Sequence, residues 1–462
     1  MKTLSLALRN LLRNRRRSLT TLLSMVIGLV AILLFGGYRS NIIYGTQTGF
    51  IQASGHLQIQ HQNYFLDGSD NPTAYGIADY QRIIDVVSHD PVLAPMQVIV
   101  TPTLQLGGIA GNFSDGVSRS VIATGLVPEA RNKMLLWNDY GVISYARPLP
   151  LVGTREDAVV VGTGVARKLK LCNILMIPDC KRVPVKNTSN ANSIPDDIAL
   201  LSSIEKASRP ALEENRIEML AATAHGAPNV ASLSVVEARN MGIKAIDDVY
   251  LAMHLGQAQK LIYGASSPQV TAIIIQLQHT SQIPAAQQRL AQLLATEFKS
   301  ELLEVLDYQT LNPIYGQTNQ FMDSMFGFIA MLIGVIVLFT IGNTMSTAVV
   351  ERTVEIGTLR AMGLRRSGIR RLFMWEAVLL GLIGAIAGVI FALIIAYLIN
   401  HSGWSWTPPG YSYAYLILVR VWQDMPLMLG SVTGMILVTV LSAWWPARRA
   451  AKLMIVDALR HV

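Results

Sequence analysis

Four charged residues, Glu351, Arg352, Glu355 and Arg360, stand close together in a thirteen-residue segment that ends at Gly363. Apolar residues alternate with these charges at the spacing of an amphipathic helix, and Gly363 can end that helix. Carboxylate and guanidinium groups on a short helix can form charge-assisted hydrogen bonds with a neighbouring protein. Because the segment directly follows an uncharged stretch, we interpret it as a coupling element that passes force between a membrane helix and a partner.

Motifs for catalysis and metal binding are absent from the sequence. It contains no G-x-x-x-x-G-K-[ST] loop that would hold the phosphates of ATP, and Gly162-x-Gly164 is a lone glycine pair that indicates a turn. It contains no H-E-x-x-H motif, and His56 and His61 have no evident third metal ligand. We therefore predict no catalytic, cofactor-binding or metal-binding residues.

Four charge-free segments explain a composition that is 51% hydrophobic and only 15% charged. Each is long enough to cross a bilayer core about 30 Å thick as a helix. They are residues 18–38, 324–350, 377–400 and 425–447. The spans contain no Asp, Glu, Lys or Arg apart from Glu376, near the start of the third, which argues against a proton- or ion-coupled carrier.

The net charge of +8 is distributed as in a membrane protein rather than in a nucleic-acid-binding protein. Residues 1–17 contain six cations and no acidic residue, and residues 351–376 contain six cations and three acidic residues. Positive charge beside membrane helices marks the cytoplasmic side. Both termini are thus predicted to be cytoplasmic in a bacterial inner membrane, with residues 39–323 outside and no nucleic acid as a partner.

The expected fold class is an α-helical membrane protein with four transmembrane helices and a large extracytoplasmic α+β domain inserted between the first and second spans. We expect residues 1–17 to form a cytoplasmic amphipathic helix in contact with membrane lipids. A cleaved signal peptide is the competing interpretation of residues 1–38. The predicted boundaries are 18–38 for the first transmembrane helix, 39–323 for the periplasmic domain with its stalk helices, 324–350 for the second transmembrane helix, 351–373 for the coupling helix and loop, 374–400 for the third transmembrane helix, 401–424 for a short periplasmic loop, 425–445 for the fourth transmembrane helix and 446–462 for a cytoplasmic tail.

The periplasmic segment mixes strand and helix patterns, which is typical of an α+β domain. Its alternating or apolar runs predict strands at 55–60, 120–127, 158–161, 270–277 and 303–307, and an amphipathic helix at 284–299. A polar loop followed by helix-compatible residues 196–220 is interpreted as an insertion covering 181–235. This insertion either touches a partner or is a tolerated surface elaboration.

Two smaller features concern packing. Cys172 and Cys180 are the only cysteines and are candidates for a disulfide in an oxidising periplasm, with two free, buried thiols as the alternative. In the third span, the spacing of Gly381, Gly384 and Gly388 allows close approach of a neighbouring helix.

The segment that ends at Gly363 resembles the signature after the second membrane helix of MacB/LolC/LolE/FtsX-type ABC transporter permeases. The matching residues are Glu351, Arg352, Glu355, Ile356, Gly357, Leu359, Arg360, Ala361 and Gly363. The basic N-terminal segment, a Phe373-x-x-Glu376-Ala377 motif and the segment after Pro446 extend the resemblance over 1–38 and 313–462. Ile455 stands where the family normally has a proline. The periplasmic domain resembles that of MacB in the order of its elements.

The resemblance implies a transporter subunit, not an enzyme, and assigns those nine residues to coupling with a separate ABC ATPase. That ATPase, expected in two copies, would bind ATP and Mg²⁺, and this chain would bind no cofactor itself. A second permease chain, identical or related, and a possible periplasmic partner protein complete the expected assembly. Glu355 and Arg360 are the expected contacts with the ATPase.

Three functions fit the resemblance, all using mechanical transmission from the ATPase to the periplasmic domain. LolC/LolE-like release of a lipoprotein or another hydrophobic substrate at the outer face of the membrane is the preferred one. MacB-like efflux of a periplasmic substrate and FtsX-like signalling to a cell-wall hydrolase are the alternatives. A membrane-tethered sensor unrelated to ATP would leave the 351–363 signature unexplained.

Overall fold

The computed structural model describes residues 7, 9, 13, 15–68, 72–142, 147–177, 180, 215–412 and 414–454. Two compact units divide the chain. The membrane unit comprises Met1–Gly45, Ile314–Trp406 and Tyr415–Val462, and the sheet domain comprises Thr46–Pro313 and Thr407–Ala414. Most of the predicted N-terminal amphipathic helix, residues 181–214 of the predicted insertion and the tail beyond Met454 lie outside the described residues.

Helices and strands alternate through the sheet domain, and long helices form the membrane unit. The α-helices are α1 (Arg15–Ser54), α2 (Tyr64–Asp67), α3 (Tyr80–His89), α4 (Pro128–Leu135), α5 (Thr163–Lys168), α6 (Lys244–Asp247), α7 (Leu255–Tyr263), α8 (Ile283–Glu297), α9 (Tyr308–Leu311), α10 (Pro313–Glu351), α11 (Thr353–Ala361), α12 (Arg366–His401) and α13 (Met425–Lys452). The strands are β1 (Leu57–His61), β2 (Gln97–Asn112), β3 (Val117–Leu126), β4 (Ala158–Gly162), β5 (Arg216–Ala222), β6 (Pro228–Arg239), β7 (Tyr250–His254), β8 (Ala272–Leu277), β9 (Leu303–Asp307), β10 (Ser405–Trp406) and β11 (Tyr415–Leu416).

Four helices of the described chain, α1, α10, α12 and α13, are long and apolar enough to cross a membrane. This confirms the predicted fold class, with a sheet-rich domain between the first and second spans. Helix α1 continues to Ser54, well past the predicted end of the first span at residue 38. Helix α10 begins at Pro313, eleven residues before the predicted second span.

The interior of the membrane unit contains side chains from all four of these helices. One apolar cluster joins the four helices. Its members include Met25, Leu29 and Leu33 of α1, Val337, Ile341 and Met345 of α10, Ala377, Ala385 and Ala392 of α12, and Met435 and Ala443 of α13. The three glycines of the predicted packing motif face this interior. A Cβ placed at Gly388 would lie 2.8 Å from Leu29 Cδ2, one at Gly384 3.0 Å from Met25 Sδ, and one at Gly381 3.4 Å from Thr439.

Strand pairing in the sheet domain closes six strands into a ring. The neighbours run β2, β3, β7, β4, β6, β5 and back to β2, with the β3–β7 and β4–β6 pairs parallel and the others antiparallel. Alternate side chains point into the ring and form its core, including Leu106, Val121, Val161, Met219 and Leu251. This core is closed further by α5 and α7.

The remaining three strands form a second lobe with its own core. The long strand β2 leaves the ring and pairs with β8, which pairs with β1, which pairs with β9. Helices α3 and α8 pack on this part of the sheet through residues such as Ile83 and Leu290. The strands predicted at 55–60, 120–127, 158–161, 270–277 and 303–307 and the helix predicted at 284–299 are confirmed within a few residues.

One sequence-based expectation is wrong for residues 216–220. These residues belong to strand β5 rather than to a helix, because Ile217, Met219 and Ala221 alternate with exposed neighbours and enter the ring core. Strands β5 and β6 are members of the ring, so Arg216–Val235 is integral sheet and not an appended insertion.

Two further sequence features have defined places in the sheet domain. Cys172 and Cys180 are joined by a disulfide with their Cα atoms 5.9 Å apart. At the Gly162-x-Gly164 turn, the backbone N–H groups of Thr163 and Gly164 both donate to the buried carboxylate of Asp247 at 2.9 Å. The start of α5 is therefore occupied by a side chain of the same domain.

Candidate coupling site

The candidate coupling element is built around the corner between α10 and α11. Arg352 is the one residue between the two helices, with φ −105° and ψ 17°. Helical hydrogen bonds continue across it, since its N–H donates to Ala348 and its carbonyl accepts from Ile356. Thr353 is buried and its hydroxyl donates to the carbonyl of Val350 at 2.7 Å. The corner is thus a bend in a nearly continuous helix, which stiffens the connection between α10 and α11.

Gly363 ends α11 in the way its position in the sequence predicts. Its φ is +94°, in the left-handed region that glycine tolerates without strain. The N–H of Gly363 donates to Arg360, and the N–H of Leu364 donates to Leu359. These two bonds form a Schellman motif, which satisfies the last carbonyls of the helix. Helix α12 then starts at Arg366.

One side of α11 is packed against the ends of α10, α12 and α13. Ile356 lies in a cluster with Val349, Ile369 and Phe373, and the contribution from α13 consists of small side chains: Ala447, Ala450 and Ala451. Small residues on α13 let the other helices approach closely. Gly357 is also buried and Leu359 is half-buried beside this cluster.

Three polar contacts tie the same element to other parts of the membrane unit. The guanidinium of Arg352 donates to Glu376 Oε1 of α12 at 3.0 Å, and both side chains are buried. The carboxylate of Glu355 pairs with Arg13, with both side chains about half exposed. The guanidinium of Arg360 donates to the carbonyl of Leu453, just after the end of α13. Arg352, Glu355 and Arg360 thus have partners within the chain.

The opposite side of α11, which we call its exposed face, consists of Val354, Glu355, Thr358, Ala361 and Met362. These positions follow the three- and four-residue spacing of one helical surface. Val354 is 45% exposed and Met362 is 71% exposed, although both are large and apolar. Exposed apolar side chains in a stripe are typical of a docking surface.

The structure therefore separates the nine predicted coupling residues into two groups. Arg352, Ile356 and Gly357 are buried, and Leu359 and Arg360 are half-buried, so these five position the helix. Glu351, Glu355, Ala361 and Gly363 are exposed. Sequence reasoning did not assign Val354, Thr358 and Met362 to the site, although their spacing relative to Glu355 indicates a common face. It also did not identify Glu376 as the partner of Arg352.

A second polar site lies in the sheet domain, where the last turns of α1 join the sheet. Arg131 Nη1 donates to the carbonyls of Gln52 and Ala53 at 2.7 and 2.6 Å, at the C-terminal end of α1. Gln52 in turn donates to the carbonyls of Leu135 and Trp137 at 2.9 and 2.8 Å. Burial lowers the pKa of the Arg131 guanidinium below its ordinary value. These bonds fix the end of α1 to the segment that contains α4.

His56 follows this helix end directly and is fully buried. Its Nδ1 accepts a hydrogen bond from the N–H of Leu277 at 3.0 Å, and its ring meets Trp137 edge to face at 4.8 Å. Burial, with a smaller contribution from His279, lowers the pKa of His56 to about 3. The imidazole is therefore neutral at physiological pH. The carbonyl of His56 accepts from the N–H of Tyr308, where α9 starts.

Comparison with known proteins finds similarity over the part of the membrane unit that contains α11, α12 and α13. Residues 324–455 match the family model of the FtsX-like permease C-terminal domain. The chain is 34% identical over 148 residues to the ABC transporter permease YtrF of Bacillus subtilis, which covers 29% of this chain and 31% of that relative. It is 38% identical over 119 residues to the macrolide export ATP-binding/permease protein MacB of Escherichia coli K12, which covers 25% of this chain and 16% of that relative.

Among solved structures, the extracellular domain of the ABC-type transporter YknZ from Gram-positive bacteria aligns with 54% of this chain and 99% of its own length, at 12% identity and a TM-score of 0.28. The curated relatives above are matched over about a third of their length or less. The predicted resemblance to this permease family is confirmed. The chain is a multi-pass membrane protein that carries an FtsX-like permease domain over residues 324–455.

Proposed function

We propose that this chain is the permease subunit of an ABC transporter, and that a separate ATPase binds the exposed face of α11. The observation that carries the proposal is the pair of large apolar side chains, Val354 and Met362, exposed on a helix whose other side is anchored by the Arg352–Glu376 pair and by the bond from Arg360 to the Leu453 carbonyl. Glu355 belongs to the same face and can contact the ATPase. Arg360 is assigned to positioning, because its guanidinium bonds to the end of α13.

The proposed mechanism is mechanical. ATP and Mg²⁺ are held by the partner, and its closure displaces α11 on the cytoplasmic side of the inner membrane. Support for this route comes from the helical hydrogen bonds that continue from the long helix α10 across Arg352 into α11. Two copies of the ATPase and a second permease chain, identical or related, form the proposed assembly.

A binding measurement tests the docking assignment. The double variant Val354→Arg/Met362→Arg places two charges in the proposed contact and should weaken co-purification of the ATPase by at least about tenfold, as expected for interface hot spots. Phe113→Arg, a substitution of a similarly exposed apolar residue in the sheet domain, is the matched control and should bind normally. Unchanged binding by the double variant would refute the assignment.

The sidedness of α11 has its own test. Thr358→Cys should react with a membrane-impermeant maleimide in inside-out vesicles and not in right-side-out vesicles. The native cysteines do not compete, because they are paired in a disulfide. Labelling from the outer side would end the proposal.

For the substrate, we propose a lipoprotein or another hydrophobic molecule taken from the outer face of the membrane. An exposed apolar row on the outside of the ring supports a hydrophobic substrate: Ile109 of β2, Leu220 of β5 and Val230 of β6 are direct cross-strand neighbours. Efflux of the MacB type is the second candidate, favoured by the match to that exporter. Mass spectrometry of lipids and lipoproteins that co-purify with the ATPase complex distinguishes the two, since a hydrophobic-cargo permease should retain an acylated species.

A further inference from the structure

The buried ion pair between Arg352 and Glu376 lies at the point where a coupling motion must enter the membrane helices. Arg352 forms the corner between α10 and α11, and Glu376 lies three turns into α12. Their side chains are 9% and 4% exposed, and the Nη1–Oε1 distance is 3.0 Å. The pair thus connects the corner with a residue of α12 that is 24 positions further along the chain.

A buried ion pair of this kind fixes the relative position of two helices more than it adds to the free energy of unfolding. Removing two charges from water costs nearly as much as their attraction returns, so replacement by a well-packed apolar pair is often neutral for stability. The pair does, however, fix one geometry, because a guanidinium and a carboxylate bond only within a narrow range of distance and angle. An apolar contact has no such directional preference.

The fixed geometry of the pair matters because the contacts around it are apolar. The adjacent cluster joins Ile356 of α11 to Ile369 and Phe373 of α12 and to small residues of α13. Apolar contacts of this type contain no directional bond that would oppose sliding along the helix axes. The Glu355–Arg13 pair cannot replace the buried pair, since its side chains are about half exposed and are screened by water and salt.

We propose that Arg352 and Glu376 are positioning residues that lock α11 to α12, so that a displacement of α11 moves α12 together with α10. The proposal deepens the function proposed above and rests on it for its consequence in transport. The lock itself is a property of the chain alone. Without the lock, α11 still binds the ATPase through its exposed face. A displacement of α11 then makes it slide against α12 and is not transmitted to that helix.

The lock is tested first without any ATPase, on the full chain in lipid nanodiscs. Spin labels at Thr358→Cys in α11 and Leu382→Cys in α12, both exposed positions, report the distance between the two helices, with unlabelled chain added to dilute contacts between copies. The apolar replacement Arg352→Met/Glu376→Leu should fold but broaden the distance distribution. The exchanged pair Arg352→Glu/Glu376→Arg should restore a narrow distribution.

Arg370→Gln is the matched control, because it removes an exposed cation from the same helix and should leave the distribution unchanged. A narrow, native distribution in the apolar replacement would overturn the lock. So would an exchanged pair that is as broad as the apolar replacement.

The second measurement adds the ATPase. The apolar replacement should still co-purify with it but lose the permease-dependent change in ATP hydrolysis, and the exchanged pair should regain that change. If the ATPase binds the apolar replacement and hydrolysis responds as in the unaltered chain, the positioning role is wrong. If the unaltered chain itself binds no ATPase, the proposed function fails while the spin-label result still decides whether the lock exists.

Discussion

Two arginines, one half-buried in the sheet domain and one buried in the membrane unit, are bonded in different ways. In the sheet domain, Arg131 donates to backbone carbonyls at the end of α1. In the membrane unit, Arg352 bonds to the carboxylate of Glu376. Carbonyls at a helix C-terminus carry only partial negative charge, whereas a carboxylate carries a full one. The first arrangement is a helix cap, and its loss removes a donor from neutral carbonyl groups. The second is a buried ion pair, and its loss removes the partner of a full charge.

The comparison predicts that the largest effect will follow from breaking the ion pair. Arg352→Met should destabilise the protein by about 3–5 kcal/mol, because it removes the guanidinium that pairs with the buried Glu376 carboxylate. The double variant Arg352→Met/Glu376→Leu should recover most of that loss. Thermal unfolding of the detergent-solubilised chain measures both. A single variant as stable as the unaltered chain would remove the distinction between the two arginines.

Acid should weaken the sheet-domain site through His56, which lies beside the helix end capped by Arg131. The pKa of His56 is about 3 in the folded state and 6.5 in the unfolded state, so between these values the unfolded state binds the extra proton. Stability should therefore fall as pH drops from 6.5 towards 3, by roughly 2–4 kcal/mol in total. The measurement is the unfolding midpoint as a function of pH between 6.5 and 4.

His56→Gln should flatten this pH dependence at a lower overall stability. His225→Gln, at an exposed position of the same domain, should leave it as it is. An unchanged slope in His56→Gln would assign the acid sensitivity to another group.

Loss of the cap itself should have a smaller effect. Arg131→Met leaves the Gln52 and Ala53 carbonyls without their donor and should cost about 1.5–3 kcal/mol, the range for hydrogen bonds to a charged group. Hydrogen exchange of residues 46–61 in the full chain should increase most, because these residues contain the end of α1 and strand β1. Arg155→Met removes an exposed arginine and should not change this exchange. Equal protection in the two variants would show that the cap does not hold the helix end.

The smallest expected effect concerns packing without charge. Gly388→Ala should cost about 1–2 kcal/mol, since the added methyl would meet Leu29 Cδ2 at 2.8 Å and force α1 and α12 apart. Gly430→Ala is the matched control, because nothing lies within 4 Å of a Cβ at that position of α13. If the two variants unfold at the same temperature, the close approach of α1 and α12 is not needed for stability.

Local patterns in the sequence predicted the membrane spans, the coupling helix and five of the described strands, but not their long-range partners. The spans and several strands follow from charge-free runs and alternation, which depend on neighbouring residues only. Strand β5 was missed because Arg216, Glu218 and Met219 are also compatible with a helix, and its alternation becomes decisive only once the ring core exists.

The coupling site shows the same limit. Its helix and its final glycine were predictable from spacing, but the residues with charges were expected to face a partner protein. Arg352 and Arg360 instead bond to α12 and to the end of α13. A sequence shows which groups are charged, whereas burial and pairing depend on which helices meet, and that is set by the packed bundle as a whole.

Ring closure in the sheet domain limits how anything outside can attach to it. A protein or peptide that binds by extending a sheet needs a strand with an unpaired row of backbone groups. In the described part of the chain, β2, β3, β4, β5, β6 and β7 each have neighbours on both sides, and β9 is left with β1 alone. A partner that binds the ring must therefore contact its side chains. The unpaired N–H and C=O groups of β9 could instead pair with an added strand.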